Sequence, residues 1–84
     1  MLTIHYFASV REALGKADEQ LEFPDDIINV GGLMKYLGAA NPAFRSLIAS
    51  ESKILVAVNQ IVVDRNYVLS KNDEVAFFPP MTGG

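Results

Sequence analysis

The chain has 84 residues, of which 50% are hydrophobic, and carries a formal net charge of −3. This length allows one small domain with one core, and the acidic balance disfavours a nucleic-acid partner, whose phosphates attract basic surfaces. Because the sequence has no cysteine and one histidine, disulfides, thiol nucleophiles and thiolate metal sites are excluded, and we expect no metal site.

The N-terminus lacks the features of a targeting segment. No long apolar stretch follows a charged start, and the longest apolar run, residues 54–58, is far shorter than a membrane span. We therefore expect a cytoplasmic protein with no membrane partner.

The chain opens with a pattern typical of a strand followed by a short helix. Apolar and other residues alternate over residues 2–7, which is the period of a strand. Ser9 and Glu12 have the spacing of a capping box, and Gly15 is a natural end for the helix that they would begin.

A second strand and the main helix follow. Residues 19–23 alternate again, and Pro24 should end this strand because it has no N–H to donate; we expect it to pair antiparallel with the first strand. Asn29 can cap the main helix, and Gly38 is a credible end for it. The apolar face of this helix would consist of Val30, Leu33, Met34 and Leu37.

The second half of the sequence is rich in strands. We expect a short helical turn over residues 43–48, a strand over 54–58 that is buried on both faces, a tight turn at 59–60, a short strand over 61–63 and a last strand over 74–78. Two strands before a helix and further strands after it indicate an α+β domain, with a mixed β-sheet packed on one main helix plus a short helix. The ubiquitin-like β-grasp is the simplest architecture with this order.

No side-chain constellation in the sequence indicates an enzyme. Asp25-Asp26 is more consistent with a solvated turn than with acid–base catalysis, and His5 has no second histidine or cysteine to join it in a metal site. Ser9 and Ser70 have no base nearby in sequence, and Gly31-Gly32 lacks the spacing and the following lysine of a phosphate-binding loop.

The C-terminal residues are the strongest functional signal. Pro79 and Pro80 stiffen the exit from the last strand, and the sequence then reads Met81-Thr82-Gly83-Gly84. Two glycines without Cβ atoms can pass through a narrow channel, and six extended residues reach about 20 Å. A carboxylate delivered in this way becomes reactive once it is converted to an acyl-adenylate. We therefore interpret residues 79–84 as a tail on a domain of residues 1–78, and not as a frayed end.

The sequence resembles the small, sulfur-carrier subunits of molybdopterin synthase, the MoaD family, over nearly its whole length. Residues 73–84, DEVAFFPPMTGG, look like the C-terminal signature of that family, and residues 7–12 and 57–60 give weaker support. The sequence departs from the family pattern at Gly31, Gly32 and Asn72. These departures affect helix stability and turn geometry, and none of them lies in the tail.

The resemblance implies a β-grasp fold and a specific chemistry at Gly84. An E1-like enzyme would use ATP to adenylate Gly84, which would then be thiocarboxylated and donate its sulfur to cyclic pyranopterin monophosphate, forming the dithiolene of molybdopterin. The carrier itself would be non-catalytic and would hold no permanent cofactor.

The resemblance also implies partners and contact residues. The large synthase subunit, in a heterotetramer, would supply the active-site pocket. The tail residues expected to enter that pocket are Met81, Thr82 and Gly83. The residues expected at the partner interface are Phe78, Pro79 and Pro80. For Phe78 an interface role competes with simple core packing, whereas Phe77, on the same face as Val75, is expected in the core.

Three alternatives remain open at this point. The chain is also compatible with a sulfur carrier of another pathway, such as thiamine synthesis or tRNA thiolation, and with a ubiquitin-like protein tag. An interaction module whose tail has no chemistry belongs to a different functional class.

Overall fold

The computed structural model describes residues 1–49 and 54–80. The strands are β1 (Leu2–Tyr6), β2 (Asp18–Leu21), β3 (Leu55–Val58), β4 (Ile61–Val63) and β5 (Glu74–Phe78). The helices are α1 (Ala8–Leu14), α2 (Val30–Ala40) and α3 (Pro42–Ala49).

Within these residues the strands form one mixed sheet in the order β2-β1-β5-β3-β4. The central strands β1 and β5 are parallel, and the other neighbours are antiparallel. The predicted antiparallel pairing of the first two strands is confirmed, as is the ubiquitin-like β-grasp fold. The described part contains one helix more than the sequence predicted, because residues 42–49 are helical throughout.

The helices cover one face of the sheet and create the core there. Every second residue of the central strands is buried, as the alternation of side chains along a strand requires. The sheet residues of the core are Leu2, Ile4, Tyr6, Val56, Val58, Val75 and Phe77, and the helical ones include Val10, Val30, Leu33, Met34, Leu37 and Phe44. The predicted apolar face of the main helix is therefore confirmed.

The start of α1 differs from the prediction. The Ser9–Glu12 capping box is wrong, because Phe7 is the N-cap residue and no side chain caps the helix. The N–H of Phe7 donates to the carbonyl of Phe77 at 3.1 Å, so the chain stays in the sheet up to Phe7 and turns at Ala8, whose φ is 52°. Gly15 ends the helix in the left-handed conformation, as predicted.

Strand β2 begins one residue earlier than predicted and ends at Leu21, before Pro24. The register pairs Leu2 with Leu21, so β1 offers little further backbone for residues 22 and 23 to pair with. Phe23 still packs partly buried against the core. The length of the partner strand, and not the proline, therefore ends β2.

The cap of α2 is as predicted, but its end is not. The side chain of Asn29 accepts a hydrogen bond from the N–H of Gly32 at 2.9 Å. Gly38 does not end the helix, which continues to Ala40. Gly38 is instead a packing residue, because a Cβ at this position would lie 3.4 Å from the Cβ of Arg45 in α3.

Asn41 makes the junction between α2 and α3. Its backbone N–H donates to the carbonyl of Leu37 at 2.8 Å, and its side chain accepts from the N–H of Ala43 at 3.0 Å. Pro42, at the first helical position, has the backbone conformation that a helix start requires and lacks only an N–H that would be unpaired there. The predicted short turn is therefore a helix of 8 residues.

The predicted tight turn at residues 59–60 is present, and the turns of the second half contain asparagines in the left-handed conformation. Asn59 and Gln60 have φ values of 51° and 72°, which is the backbone of a two-residue turn that matches strand twist. Asn72 also has positive φ, at 65°. The predicted burial of β3 on both faces is confirmed, since Val56 and Val58 lie in the core and Ala57, on the opposite face, is 8% exposed.

Asn59 and Asp73 join the β3–β4 turn to the start of β5. The Asn59 side chain donates to the Asp73 carboxylate at 2.9 Å and accepts from the N–H of Glu74 at 3.0 Å. The second carboxylate oxygen of Asp73 accepts from the N–H of Ser70 at 2.8 Å. Asp73 is the buried charged residue of the described part, and these bonds satisfy it.

Tyr6 joins β1 to β2 from inside the core. Its hydroxyl donates to the Glu19 carboxylate, which also accepts from the ammonium of Lys16 at 3.1 Å. Burial raises the pKa of Tyr6 far above its usual range, and the hydrogen bond and charge of Glu19 raise it further. The hydroxyl therefore stays protonated in the folded state, and its role is structural.

We predict that Asn59→Ala lowers the free energy of unfolding by about 2–4 kcal/mol, because it removes the bonds to Asp73 and Glu74 and because alanine tolerates positive φ less well than asparagine does. Asn59→Gly is the matched control, since glycine tolerates this φ and loses only the side-chain bonds. Urea unfolding should show a smaller loss for the glycine variant. Wild-type stability in both variants would contradict the role of Asn59.

Tyr6 should make stability depend on pH in the alkaline range. Its pKa is raised in the folded state. Its contribution to the free energy of unfolding is therefore fully present below the ordinary tyrosine pKa of 10.0. This contribution declines as pH rises above that value, because the tyrosine then loses its proton in the unfolded state but keeps it in the folded state. Urea unfolding from pH 8 to pH 11 should show a steeper decline for the wild type than for Tyr6→Phe. The variant should also lose about 1 kcal/mol at neutral pH. Equal slopes would contradict this role.

Candidate functional site

The last strand holds the C-terminal segment at the centre of the sheet. Phe77 is fully buried on the helical side, where its ring stacks with Tyr6 at a centroid distance of 6.2 Å and meets Phe44 edge-on at 5.3 Å. Tyr6 and Phe44 also meet edge-on, at 6.3 Å. This aromatic trio confirms Phe77 as a core residue and fixes β5 just before the tail begins.

Phe78 and the two prolines form the exit from the sheet. Phe78 pairs with Leu55 of β3 and is half-buried on the face opposite the core, as is expected for the neighbour of an inward-facing Phe77. Pro79 is half-buried and Pro80 is exposed. Because prolines donate no N–H, pairing with β3 ends at this point, and the chain leaves the sheet with a restricted φ at two successive residues.

Met81, Thr82, Gly83 and Gly84 lie outside the described residues. Their roles as tail and carrier residues therefore stay predictions, as does the boundary of the tail at Pro79.

The open face of the sheet, which we define as the side opposite the helices, surrounds the exit with apolar side chains. Phe7 is 49% exposed, and the register that pairs Tyr6 with Phe77 puts Phe7 at the same end of the sheet as Phe78. Val62 is also exposed on this face, Leu55 and Ala76 are half-buried there, and Ala57 is buried beneath its neighbours. Exposed apolar side chains grouped in this way mark interaction surfaces more often than isolated ones do.

Phe7 is a site candidate that reasoning from the sequence missed. The sequence pattern predicts only that it belongs to the first strand, whereas its neighbour across the sheet is decided by the parallel β1–β5 pairing, which spans most of the chain. The sequence does contain a hint. Leu2, Ile4 and Tyr6 already supply the inward-facing side of this strand, so an aromatic residue at position 7, on the other side, has no core role to explain it.

Two polar side chains border the open face. His5 Nε2 lies 3.2 Å from Glu74 Oε2 across the β1–β5 pair, and the two residues line a shallow cavity of about 280 Å³ together with Phe7, Gln60 and Ala76. His5 is half-buried, as expected for a lone strand histidine. This pair ties the central strands together and brings no nucleophile to the surface.

The described residues show no other catalytic or metal-binding group. Over residues 1–49 and 54–80, no cluster of histidine, cysteine or acidic side chains could hold a metal ion. Asp25 and Asp26 lie exposed in a turn, as predicted. Among the described helices, none has both the length and the apolarity needed to cross a bilayer.

Known proteins share both the sequence and the fold. The chain is 38% identical over 84 residues, 100% of each chain, to the molybdopterin synthase sulfur carrier subunit of Escherichia coli strain K12. The crystal structure of SAMP1 from Haloferax volcanii superposes with a TM-score of 0.81 at 26% identity, covering 99% of this chain and 98% of that chain.

A chain of the BexX/CysO complex from Amycolatopsis orientalis superposes with a TM-score of 0.74 over 100% of both chains. Its identity of 15% shows the fold alone, and its name records that this β-grasp protein forms a complex with another protein. Residues 4–84 match the ThiS family model. With this match and a full-length relative at 38% identity, the chain belongs to the ThiS family.

Proposed function

We propose that this protein is the sulfur-carrier subunit of a molybdopterin synthase. The observation that carries the proposal is its full-length identity of 38% to the protein of that name from Escherichia coli, in a sequence that ends Gly83-Gly84. The proline exit from a rigidly anchored β5 supports it, because a carrier must present its end at a reproducible place.

The proposed chemistry takes place at the α-carboxylate of Gly84. A carboxylate oxygen attacks the α-phosphate of ATP on an E1-like enzyme, which releases pyrophosphate and leaves an acyl-adenylate. A sulfur donor then displaces AMP, so that one oxygen of the carboxylate is replaced by sulfur. The thiocarboxylate sulfur attacks a carbon of cyclic pyranopterin monophosphate and displaces an oxygen substituent, so that a thioester joins the carrier to the pterin. Water hydrolyses this thioester, which leaves the sulfur on the pterin and returns the carrier to the carboxylate, and a second loaded carrier supplies the other sulfur of the dithiolene.

In this proposal the partner enzymes supply the active sites and the carrier supplies only the reacting carboxylate, so the described part of the carrier needs no deep pocket. The reacting group is at the end of the chain, and Gly83 would allow close passage because it has no Cβ. The large subunit would enclose the tail and provide the basic groups that an anionic pterin substrate requires, which suits a carrier with a net charge of −3. ATP is consumed by the activating enzyme, and the carrier retains no cofactor. We place this reaction in the cytoplasm, where ATP is available to the activating enzyme.

The open face is the surface we propose for both partners, the large synthase subunit in a heterotetramer and the E1-like enzyme. Phe78 is half-buried beside the exit and Phe7 is 49% exposed, so both rings retain apolar area that a partner can cover. Buried aromatic anchors of this kind supply much of the binding energy of interfaces. Pro79 and Pro80 would hold the tail at the border of this surface.

A protein-modifier tag is the second candidate, because the chain also superposes, with a TM-score of 0.80 at 25% identity, on a structure named small archaeal modifier protein 1 from H. volcanii. Both functions activate the same C-terminal carboxylate. They differ in the nucleophile that receives the acyl group, which is a sulfur donor for a carrier and a lysine amine for a tag.

Deletion of Gly84 should abolish sulfur loading while leaving the fold and partner binding intact. After incubation with ATP, the activating enzyme and a sulfur source, intact-mass measurement of the wild type should show one oxygen exchanged for sulfur at the last residue. The deletion variant should show no exchange and an unchanged melting temperature, because exposed chain ends contribute little to stability. Unimpaired dithiolene synthesis by the deletion variant would refute the carrier function, whereas isopeptide-linked conjugates would favour the tag.

Phe78→Ala should weaken binding to the large subunit by about 2 kcal/mol or more, measured by calorimetry. The matched control is Val68→Ala, which truncates a side chain that is 63% exposed in the β4–β5 connection and should leave affinity unchanged. If Phe78 is a core residue instead, its truncation will lower thermal stability and spare the affinity.

A further inference from the structure

We infer that the cleft between α2 and α3 is a docking site for an acidic peptide segment of a partner protein, in which carboxylates flank an apolar anchor residue. This cleft is on the helical side of the molecule. The inference therefore goes beyond the proposed chemistry at Gly84 and does not depend on it.

The cleft has the size and lining of a side-chain pocket. Its volume is about 420 Å³, within the range of ligand sites. The apolar lining comes from facing positions of the two helices, with Met34 and Ala39 on α2 and Ile48 and Ala49 on α3. Such a floor can accommodate an aliphatic or aromatic side chain.

Two glycines of α2 lie where arginine-bearing segments reach the cleft. At Gly38, a Cβ would be in van der Waals contact with the Cβ of Arg45, at 3.4 Å, so α3 packs directly on α2 there. At Gly31, the N–H donates to the carbonyl of Arg65 at 2.9 Å. These two contacts hold Arg45 and Arg65 at the border of the cleft.

Three exposed cations border the cleft, Lys35, Arg45 and Arg65. The whole chain has 7 lysines and arginines against 10 acidic residues, yet among residues 1–49 and 54–80 no acidic residue belongs to the lining. Within residues 1–49 and 54–80, the ion pairs are those of His5 with Glu74 and Lys16 with Glu19. The three cations thus have no carboxylate partner among the described residues, and the cleft concentrates positive charge on an acidic protein.

The chemistry of the cleft favours a peptide over a small polar metabolite. A metabolite site needs convergent polar groups to fix its ligand, but the buried polar residue of the described part is Asp73, which is occupied in the β5 turn. The first amides of α2 are also occupied, with Val30 N–H bonded to Tyr67 and Gly32 N–H bonded to Asn29. What remains is an apolar floor with a cationic border, which complements an apolar side chain between carboxylates.

The position of the cleft allows it to act together with the open face. The helices that form it pack on the opposite side of the sheet from Phe7 and Phe78. A partner that covers the open face therefore leaves the cleft accessible, and a second segment of the same complex can bind there. Two linked contacts raise the overall affinity without requiring either to be strong.

The test is an NMR titration of the ¹⁵N-labelled full chain with the synthetic peptide acetyl-Asp-Glu-Phe-Leu-Glu-Asp-amide. We expect saturable shifts on both walls of the cleft, at the amides of Lys35, Ala39, Arg45 and Ala49, with binding that weakens as salt is added. The double variant Lys35→Glu/Arg45→Glu should bind at least about fivefold more weakly. It should in turn gain binding to the peptide in which lysines replace the acidic residues.

The matched control is Arg11→Glu/Lys71→Glu, which changes the net charge equally at exposed positions away from the cleft and should keep affinity within about twofold. Ala39→Trp fills the cleft from an exposed helix position and should also block binding. The Gly84 deletion should bind the peptide as the wild type does, so failure of the carrier chemistry and failure of this site are distinguishable.

Three results would overturn the inference. The first is an absence of shifts on the cleft walls at millimolar peptide, and the second is equal weakening in the control and cleft variants, which would indicate attraction by net charge alone. The third is a sedimentation experiment in which the wild type is a dimer and the variant Lys35→Glu/Arg45→Glu is a monomer, because the cleft would then bind a second copy of this chain.

Discussion

The burial of Phe77 between Tyr6 and Phe44 is the contact on which the functional end of the molecule depends. It holds β5 in the centre of the sheet, where the parallel pairing with β1 joins residues separated by most of the chain. Because side chains alternate along a strand, an inward Phe77 requires an outward Phe78. The same packing contact therefore stabilises the core, exposes an aromatic ring to partners and sets the point from which the tail leaves.

The polar contacts of the fold reinforce this arrangement from the other end of β5. Asn59 and Asp73 tie the β3–β4 turn to the first residue of the strand, and the buried carboxylate has its partners within the turn. Tyr6 makes one aromatic and one polar contact, since its ring packs on Phe77 and its hydroxyl donates to Glu19 of β2. A strand fixed at both ends can present a tail at a constant place, which suits a carrier whose reactive group must reach the active sites of larger enzymes.

The two sides of the sheet have distinct characters. The open face is apolar around the exit of the tail, while the helical side has a cleft with a cationic border on an otherwise acidic chain. A partner with an apolar surface and a partner segment with acidic residues would therefore bind different sides of the same small domain. In a protein with so little surface, the two proposed contacts would therefore not compete with each other.

The sequence by itself determined the strand alternation, the Asn29 cap, the tight turn at residues 59–60 and the β-grasp order, because these depend on local periodicity and backbone preference, while the tail of residues 79–84 stays a prediction. It did not determine where elements end. The chain continues in the sheet to Phe7 because it bonds to Phe77 of the distant strand β5. Strand β2 ends at Leu21 because β1 offers little further backbone to pair with, and α2 passes through Gly38, where α3 packs. The pairing of Phe7 with the exit and the gathering of Lys35, Arg45 and Arg65 were likewise decided only by tertiary structure, since contacts between segments far apart in the chain leave no local pattern.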